Sequence, residues 1–261
     1  MTDSLLVEHA DGVATLTLNR PDSLNSLDTD LKVALRDTLT TLAADITVRA
    51  VVLTGAGRAF CVGQDLREHV DSLETGEGAS LGTVREHYNP IARLLVEMPK
   101  PVIAAVRGTA AGAGASLAFL ADLRVGGPKT SFLLAFANVG LAADTGASWS
   151  LPRLVGRARA MEMMLLAKPV DAQTSYRLGL LTELVDDDDR VLPAALELAG
   201  RLAKGPTFAY GQIKRQLAAA GSFAEVLEVE ADAQSRCGHT ADHQNATAAF
   251  VRKEKAVFEG R

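Results

Sequence analysis

Three segments rich in glycine and alanine hold the residues best placed to do chemistry. In Val139-Gly140-Leu141-Ala142-Ala143-Asp144-Thr145-Gly146-Ala147-Ser148-Trp149, a single carboxyl group sits in an apolar loop ahead of an expected helix. Asp144 is there either as a helix N-cap, for which Asp is a favoured residue, or as an acid, base or nucleophile facing a cavity. In the segment from Gly55 to Leu66, an apolar strand runs into a glycine-rich loop. Gly63 lets that backbone turn so that the next N–H, of Gln64, points into a cavity. In the segment from Gly108 to Leu117, a glycine-alanine turn leads into a helix whose first N–H groups are free to bind an anion or a developing oxyanion. Ala113 would donate there. Two backbone N–H groups converging on one point make an oxyanion hole, and loss of one such donor costs about 3 kcal/mol of transition-state stabilisation. Each glycine segment also has a purely structural reading, as a tight turn or as close helix–sheet packing.

Other patterns carry less. Gly55-Ala56-Gly57 begins like a dinucleotide fingerprint, but Phe60 stands at the third glycine position and no acidic residue follows a second strand at the required distance. His239 and His243 are four apart without the intervening glutamate of a zinc-protease helix, so a solvated helix face explains them. Asp186-Asp187-Asp188-Asp189 reads as a solvated turn. No Gly-x-Ser-x-Gly elbow surrounds Ser116 or Ser148.

The elements that must position these residues follow from periodicity. Alternation of Ala14, Leu16 and Leu18 with threonines predicts a half-buried strand, and the continuous apolar runs 50–54 and 102–106 predict strands buried on both faces. Leu27, Leu31, Leu35, Leu39 and Leu42 predict a helix with Asp28 as its cap. Val84 to Met98 predicts another, stopped by Pro99 and Pro101. A small-residue helix is expected over 110–121 and a strand over 123–125. The charged stretch 67–80 is expected to be a mobile loop or a frayed helix. Beyond Pro152 helices dominate, over 157–166, 172–178, 192–202, 207–219, 223–235 and 241–258, with one strand over 182–185. Strand–helix units come first and a helical region follows, dividing the chain into residues 1–200 and 201–261.

Bulk properties narrow the classes. The 261 residues are 48% apolar and 23% charged, ordinary values for a globular α/β protein with a filled core. A net charge of −5 disfavours binding to nucleic acid or anionic membranes. Two cysteines without Cys-x-x-Cys spacing exclude a disulfide framework and point to a reducing cytoplasm. The acidic N-terminus does not resemble a signal peptide. No apolar stretch is long and unbroken enough to span a bilayer.

The three segments in this order resemble the crotonase (enoyl-CoA hydratase/isomerase) superfamily, over about Val7 to Phe258. Arg20-Pro21-Asp22-Ser23-Leu24-Asn25-Ser26-Leu27 resembles the family's Arg-Pro-x-x-x-Asn-x-Leu segment, and Arg58 to Leu66 its first oxyanion loop. Lys100 to Val106 followed by Gly112 to Gly114 resembles the second. Leu151-Pro152-Arg153-Leu154-Val155-Gly156 resembles the helix after the active-site loop. The resemblance implies an α/β fold built as a spiral of β-β-α units, with a C-terminal helical region that mediates trimerisation, often as a dimer of trimers (a hexamer). It implies an acyl-CoA substrate whose thioester oxygen receives the N–H groups of Gln64 and Ala113, and no metal or redox cofactor, with coenzyme A entering as part of the substrate. Ser23, Leu24 and Asn25, the loop around Ala59 and Val62, and the adjoining Asp65 and Leu66 are implied to contact the substrate. A neighbouring subunit is implied to add Phe250 and Lys253.

The departures from the family pattern are informative. The two catalytic glutamates of typical hydratases would fall at Ser116 and Phe136, neither of which can transfer a proton at neutral pH. Asp144 matches a position used as acid/base by several isomerases of the superfamily, and the nearest resemblance is to its 1,2-epoxyphenylacetyl-CoA isomerases. That subgroup usually has Ile-Pro before the Asp, where Ala142-Ala143 stands here. The resemblance therefore implies an acyl-CoA isomerase using Asp144. A hydratase would need another carboxylate, Asp65 or Asp122 if the fold turned them inward. A degenerate acyl-CoA-binding homologue is the third expectation.

Overall fold

The computed structural model describes residues 3–74 and 82–261. In chain order its elements are β1 (Leu5–Ala10), β2 (Val13–Leu18), α1 (Thr29–Ala44), β3 (Ala50–Gly55), β4 (Ala59–Cys61), α2 (Leu66–Glu74), α3 (Asn89–Glu97), β5 (Val102–Val106), β6 (Thr109–Ala111), α4 (Ala113–Leu120), β7 (Leu123–Gly126), β8 (Ser131–Leu133), α5 (Ala147–Leu166), β9 (Val170–Asp171), α6 (Ala172–Arg177), β10 (Glu183–Leu184), α7 (Val191–Ala203), α8 (Thr207–Ala218), α9 (Phe223–Gly238) and α10 (Ala241–Arg252).

Two sheets share the strands in alternation. One has the order β1-β2-β3-β5-β7-β10 and the other β4-β6-β8-β9. β3, β5 and β7 run parallel in the first, and β4, β6 and β8 run parallel in the second. Each unit therefore gives one strand to each sheet before its helix, and the chain winds as a β-β-α spiral. The apolar runs explain why the first sheet is buried on both faces. Val51, Leu53, Val102, Ala104 and Val106 face the main core with α1 and α3. Their alternates Ala50, Val52, Ile103 and Ala105 face a second core closed by α7. Ala195, Ala199 and Ala203 let α7 approach that sheet closely.

α1 begins as expected: the Asp28 carboxylate accepts from the Leu31 N–H at 2.9 Å. β1 was not expected. It pairs antiparallel with β2 across Asp11-Gly12, both at positive φ as a two-residue hairpin turn requires, but it is an edge strand with little of its surface buried, so its apolar pattern is faint. Ala110 and Ala111 are not helical. They bond to β4 and β8 as strand β6, and the helix starts only after Gly112 turns the chain at φ 50°, ψ −126°. α5 holds two helical segments that meet at a kink at Gly156 (φ 75°): the expected 157–166 helix, and before it the helix after the active-site loop, which starts at Ala147. α10 stops at Arg252 because Lys253 is left-handed (φ 60°). Within the charged stretch 67–80, residues up to Glu74 are helical in α2, and 75–80 lie outside the described residues.

Candidate active site

The orientation of two peptide groups follows from what their carbonyls bond. In a trans peptide the C=O and the next residue's N–H point in opposite directions. The Gly63 carbonyl accepts from the Leu27 N–H at 2.7 Å, so the Gln64 N–H points the other way. The Gly112 carbonyl accepts from the Ser116 N–H at 3.1 Å and the Ser116 hydroxyl at 3.2 Å, along α4, so the Ala113 N–H points out of the helix start. Neither N–H donates to an acceptor among the described residues. The two loops touch: a Cβ placed on Gly63, which has φ +88°, would lie 2.9 Å from the Ala111 oxygen and 3.1 Å from the Ala113 nitrogen. Gln64 and Ala113 line one cavity of about 590 Å³.

Asp144 lines the same cavity and is its one carboxylate among the described residues. It is not a helix cap. The residue before α5 is Gly146, which offers no side chain, and the Asp144 carboxylate instead accepts from the Thr145 hydroxyl at 2.8 Å. Burial pushes the Asp144 carboxyl above the ordinary carboxylate range, and the Thr145 hydrogen bond opposes that shift in part. Its loop is tied to α4, because the Ser116 hydroxyl donates toward the Asp144 carbonyl oxygen at 3.4 Å. Leu66, Val70, Leu73, Val84, Phe136 and Leu141 form apolar walls, and Tyr88 and His69 add polar groups. Two unengaged N–H groups and a carboxyl group on one apolar chamber suit stabilisation of a developing oxyanion together with proton transfer at a nearby carbon.

Comparison with known proteins gives this geometry its context. Residues 8–261 match the family model for enoyl-CoA hydratase/isomerase. The chain belongs to that family. It is 41% identical to the 1,2-epoxyphenylacetyl-CoA isomerase of Escherichia coli K12, covering 100% of both chains. It is 30% identical to the crotonyl-CoA hydratase of Syntrophomonas wolfei over 98% of each. The solved structure of an enoyl-CoA hydratase/isomerase family protein from Mycobacterium abscessus superposes with a TM-score of 0.93 at 44% identity, covering 98% of this chain and 100% of that one.

The residues that the resemblance implies contact the substrate divide into two groups. Val62 and Leu66 line the cavity. Ser23, Leu24, Asn25, Ala59 and Asp65 do not, and they shape the loops beside it. Leu24 and Asn25 are left-handed (φ 53° and 57°), and the Leu24 carbonyl accepts from the Val62 N–H. The fully buried Asn25 amide donates to the carbonyls of Ala56 and Ala59 at 2.9 Å and of Phe60 at 3.2 Å, while its oxygen accepts from the Arg20 N–H at 2.9 Å. Ser23 donates to the Arg20 carbonyl at 3.2 Å, and Ala59 is buried in β4. Asn25→Ala should lower stability by about 3 kcal/mol, since it strips partners from buried carbonyls and removes a residue that tolerates left-handed backbone. Asn25→Asp should be worse, because a carboxylate would face three carbonyl oxygens. Urea unfolding of the three proteins checks that order, and an unchanged midpoint for Asn25→Ala would refute it.

The Asp65 carboxylate accepts from Arg20 and Ser26, each at 2.9 Å, and Asp122 accepts from Lys214 and the Val102 N–H, each at 2.7 Å. Both are committed away from the cavity, so neither serves the hydratase expectation. Of the two residues that the resemblance sets against the hydratase glutamates, Phe136 forms cavity wall and Ser116 bonds the Gly112 and Asp144 carbonyls. Phe250 and Lys253, at the end of α10, lie outside the cavity of this single chain. No group of three or more His, Cys, Asp or Glu among the described residues is placed to hold a metal ion. No helix among them is long and apolar enough to cross a membrane. Cys61 is buried and its thiol is pushed up to about 12, which leaves it unreactive.

Sequence reasoning missed a polar cluster behind the cavity wall. The Lys32 ammonium donates to the Gln64 side-chain oxygen at 3.2 Å, to Glu68 at 3.4 Å and to the Thr83 hydroxyl at 2.9 Å. Tyr88 donates its hydroxyl to the same Gln64 oxygen at 2.6 Å. The available signal was a lysine beside Leu31 on the inner edge of the α1 stripe.

Proposed function

We propose that this chain is an acyl-CoA isomerase. The Gln64 and Ala113 N–H groups hold the thioester oxygen and stabilise the enolate that forms when a proton leaves the α-carbon side of the acyl chain. Asp144 takes that proton and returns it at another carbon. Isomerisation is redox-neutral and adds no atoms, so the reaction needs no separate cofactor beyond the coenzyme A carried on the substrate. The observation that carries this reading is that Asp144 is the one carboxylate lining the cavity among the described residues; the resemblance puts Ser116 and Phe136 where hydratases keep their glutamates. The resemblance implies that hydratases hold and activate their water with two carboxylates, and the cavity has one among the described residues. Burial raises the Asp144 carboxyl above its ordinary range, which eases the holding and return of a proton.

The acyl group is proposed as an enoyl chain or an aryl-substituted epoxide, since the chamber is apolar and includes Phe136 and Tyr88. Assembly is proposed as a trimer or a hexamer. Leu217, Phe223, Phe250 and Val251 stand exposed on α8, α9 and α10 or beside them, which supports their burial against other copies. The proposed setting is the cytoplasm.

The test is to incubate the protein with enoyl-CoA and epoxyphenylacetyl-CoA thioesters and to weigh the products by mass spectrometry. Conversion at constant mass is expected. Gain of one water on every accepted substrate would overturn the isomerase reading in favour of a hydratase. Tight binding without conversion of any thioester would leave a binding protein.

A further inference from the structure

We infer that Lys32 is a positioning residue for the oxyanion hole, holding Gln64 through its side chain so that the Gln64 N–H stays aimed at the thioester oxygen. The inference rests on the proposed role of that N–H and goes beyond it.

Lys32 is 1% exposed on the first turns of an otherwise leucine-lined inner face of α1. A buried ammonium costs several kcal/mol unless it is well paired, and a leucine would pack α1 as well as its neighbours do. All three ammonium hydrogens are used, on Gln64, Glu68 and Thr83. The ammonium also lies 5.5 Å from the centre of the Tyr88 ring. Glu68 is itself fixed to the start of α1, accepting from the Thr29 N–H at 2.8 Å and the Thr29 hydroxyl at 2.9 Å. Lys32 thus joins α1, α2 and the residue before the helical turn that carries Tyr88.

Two donors of this cluster converge on one oxygen. The Gln64 side-chain carbonyl accepts from both Lys32 and Tyr88, which fills its two lone pairs. Gln64 follows Gly63, the residue whose missing Cβ allows the turn and also leaves the backbone its widest freedom. The backbone anchors there are the Leu27 N–H on the Gly63 carbonyl at 2.7 Å and the Asp65 N–H on the Leu27 carbonyl at 3.1 Å. The side-chain anchor fixes the other end of the same peptide group. Gln64, Thr83 and Tyr88 line the cavity and Lys32 stands behind them, so it acts on the substrate only through them.

The experiment uses butanoyl-CoA labelled with carbon-13 at the thioester carbonyl, a saturated probe that cannot isomerise. The infrared stretch of the bound carbonyl reports its polarisation independently of turnover, and calorimetry gives its Kd. In the wild type the stretch should move to lower frequency on binding, and in Asp144→Asn that shift should persist. In Lys32→Met the shift should fall to less than about half, with Kd within about threefold and kcat on an active thioester down about tenfold to a hundredfold, the range for a slightly misplaced group. Gln64→Met keeps the N–H and loses the anchor oxygen, so it should reproduce the loss even if Lys32→Met folds poorly. A wild-type carbonyl shift in Gln64→Met, or in folded Lys32→Met, would overturn the inference while leaving the oxyanion reading intact. Absence of any shift in the wild type would overturn both. Loss of the isomerase reading alone, by products that gain water, would leave the role of Lys32 standing.

Discussion

Asp144→Asn is expected to lower kcat by about three orders of magnitude while leaving acyl-CoA affinity within a few fold. General acid–base groups contribute about 10²–10⁴ to rate, and no other carboxylate lines the cavity among the described residues to replace this one. The amide is nearly isosteric and its oxygen can still accept from the Thr145 hydroxyl, so the loop should hold its place. The same substitution carries a stability signature with a defined sign. The folded-state pKa of Asp144 lies above its unfolded value near 3.9, so the folded state holds the proton more tightly. Its contribution to stability is favourable in acid and is lost as pH rises through the folded pKa. At pH 7 the asparagine protein should therefore be at least as stable as the wild type, and its advantage should vanish near pH 3.5. Kinetics with calorimetric melting at both pH values checks this. Retained turnover would remove Asp144 from the mechanism, and a variant less stable only at pH 7 would reverse the sign of its burial.

Gly63→Ala is expected to cost about a hundredfold in kcat through a different route. A methyl there would sit 2.9 Å from the Ala111 oxygen and 3.1 Å from the Ala113 nitrogen, both backbone atoms. It would force apart the two loops whose N–H groups must converge, and loss of one oxyanion donor costs about 10²–10³ in rate. Overpacking and left-handed strain should also lower stability by about 2–4 kcal/mol. Gly179→Ala separates these effects. Its φ is 78° but its added Cβ would meet no atom within 4 Å, so it should lose about 1–2 kcal/mol from strain and keep its kcat. Equal rates for the two variants would show that the contact between the loops does not set the site.

Much of this protein was legible in its residues. The runs 50–54 and 102–106 are apolar at every position apart from Thr54, which dictates strands buried on both faces, and both are so buried. The leucine stripe from 27 to 42 specifies one inner helix face, and Asp28 caps it. Gly63 and Gly112 mark turns that need backbone conformations L side chains rarely adopt, and both have positive φ. Such features are local: periodicity, caps and turn residues act over a few positions, so they leave a mark in the sequence.

Tertiary structure decided what depends on distant partners. Ala110 and Ala111 have the composition of a helix but become a strand, because β4 and β8 on either side offer hydrogen bonds that a three-residue segment cannot find alone. Whether Asp144 was a cap or a cavity carboxylate was undetermined locally, since both roles ask for the same residue. Gly146 at the cap position of α5 and the meeting of α4 with the Gln64 loop at one cavity decide it. Asp65 and Asp122 are as acidic in sequence as Asp144, yet Arg20 and Lys214, 45 and 92 residues away by numbering, claim them. Lys32 gains its partners from residues 64, 68 and 83, which only folding brings beside it. Charges and hydrogen bonds are settled by whichever partner the fold delivers, and that information is spread over the whole chain rather than written beside the residue.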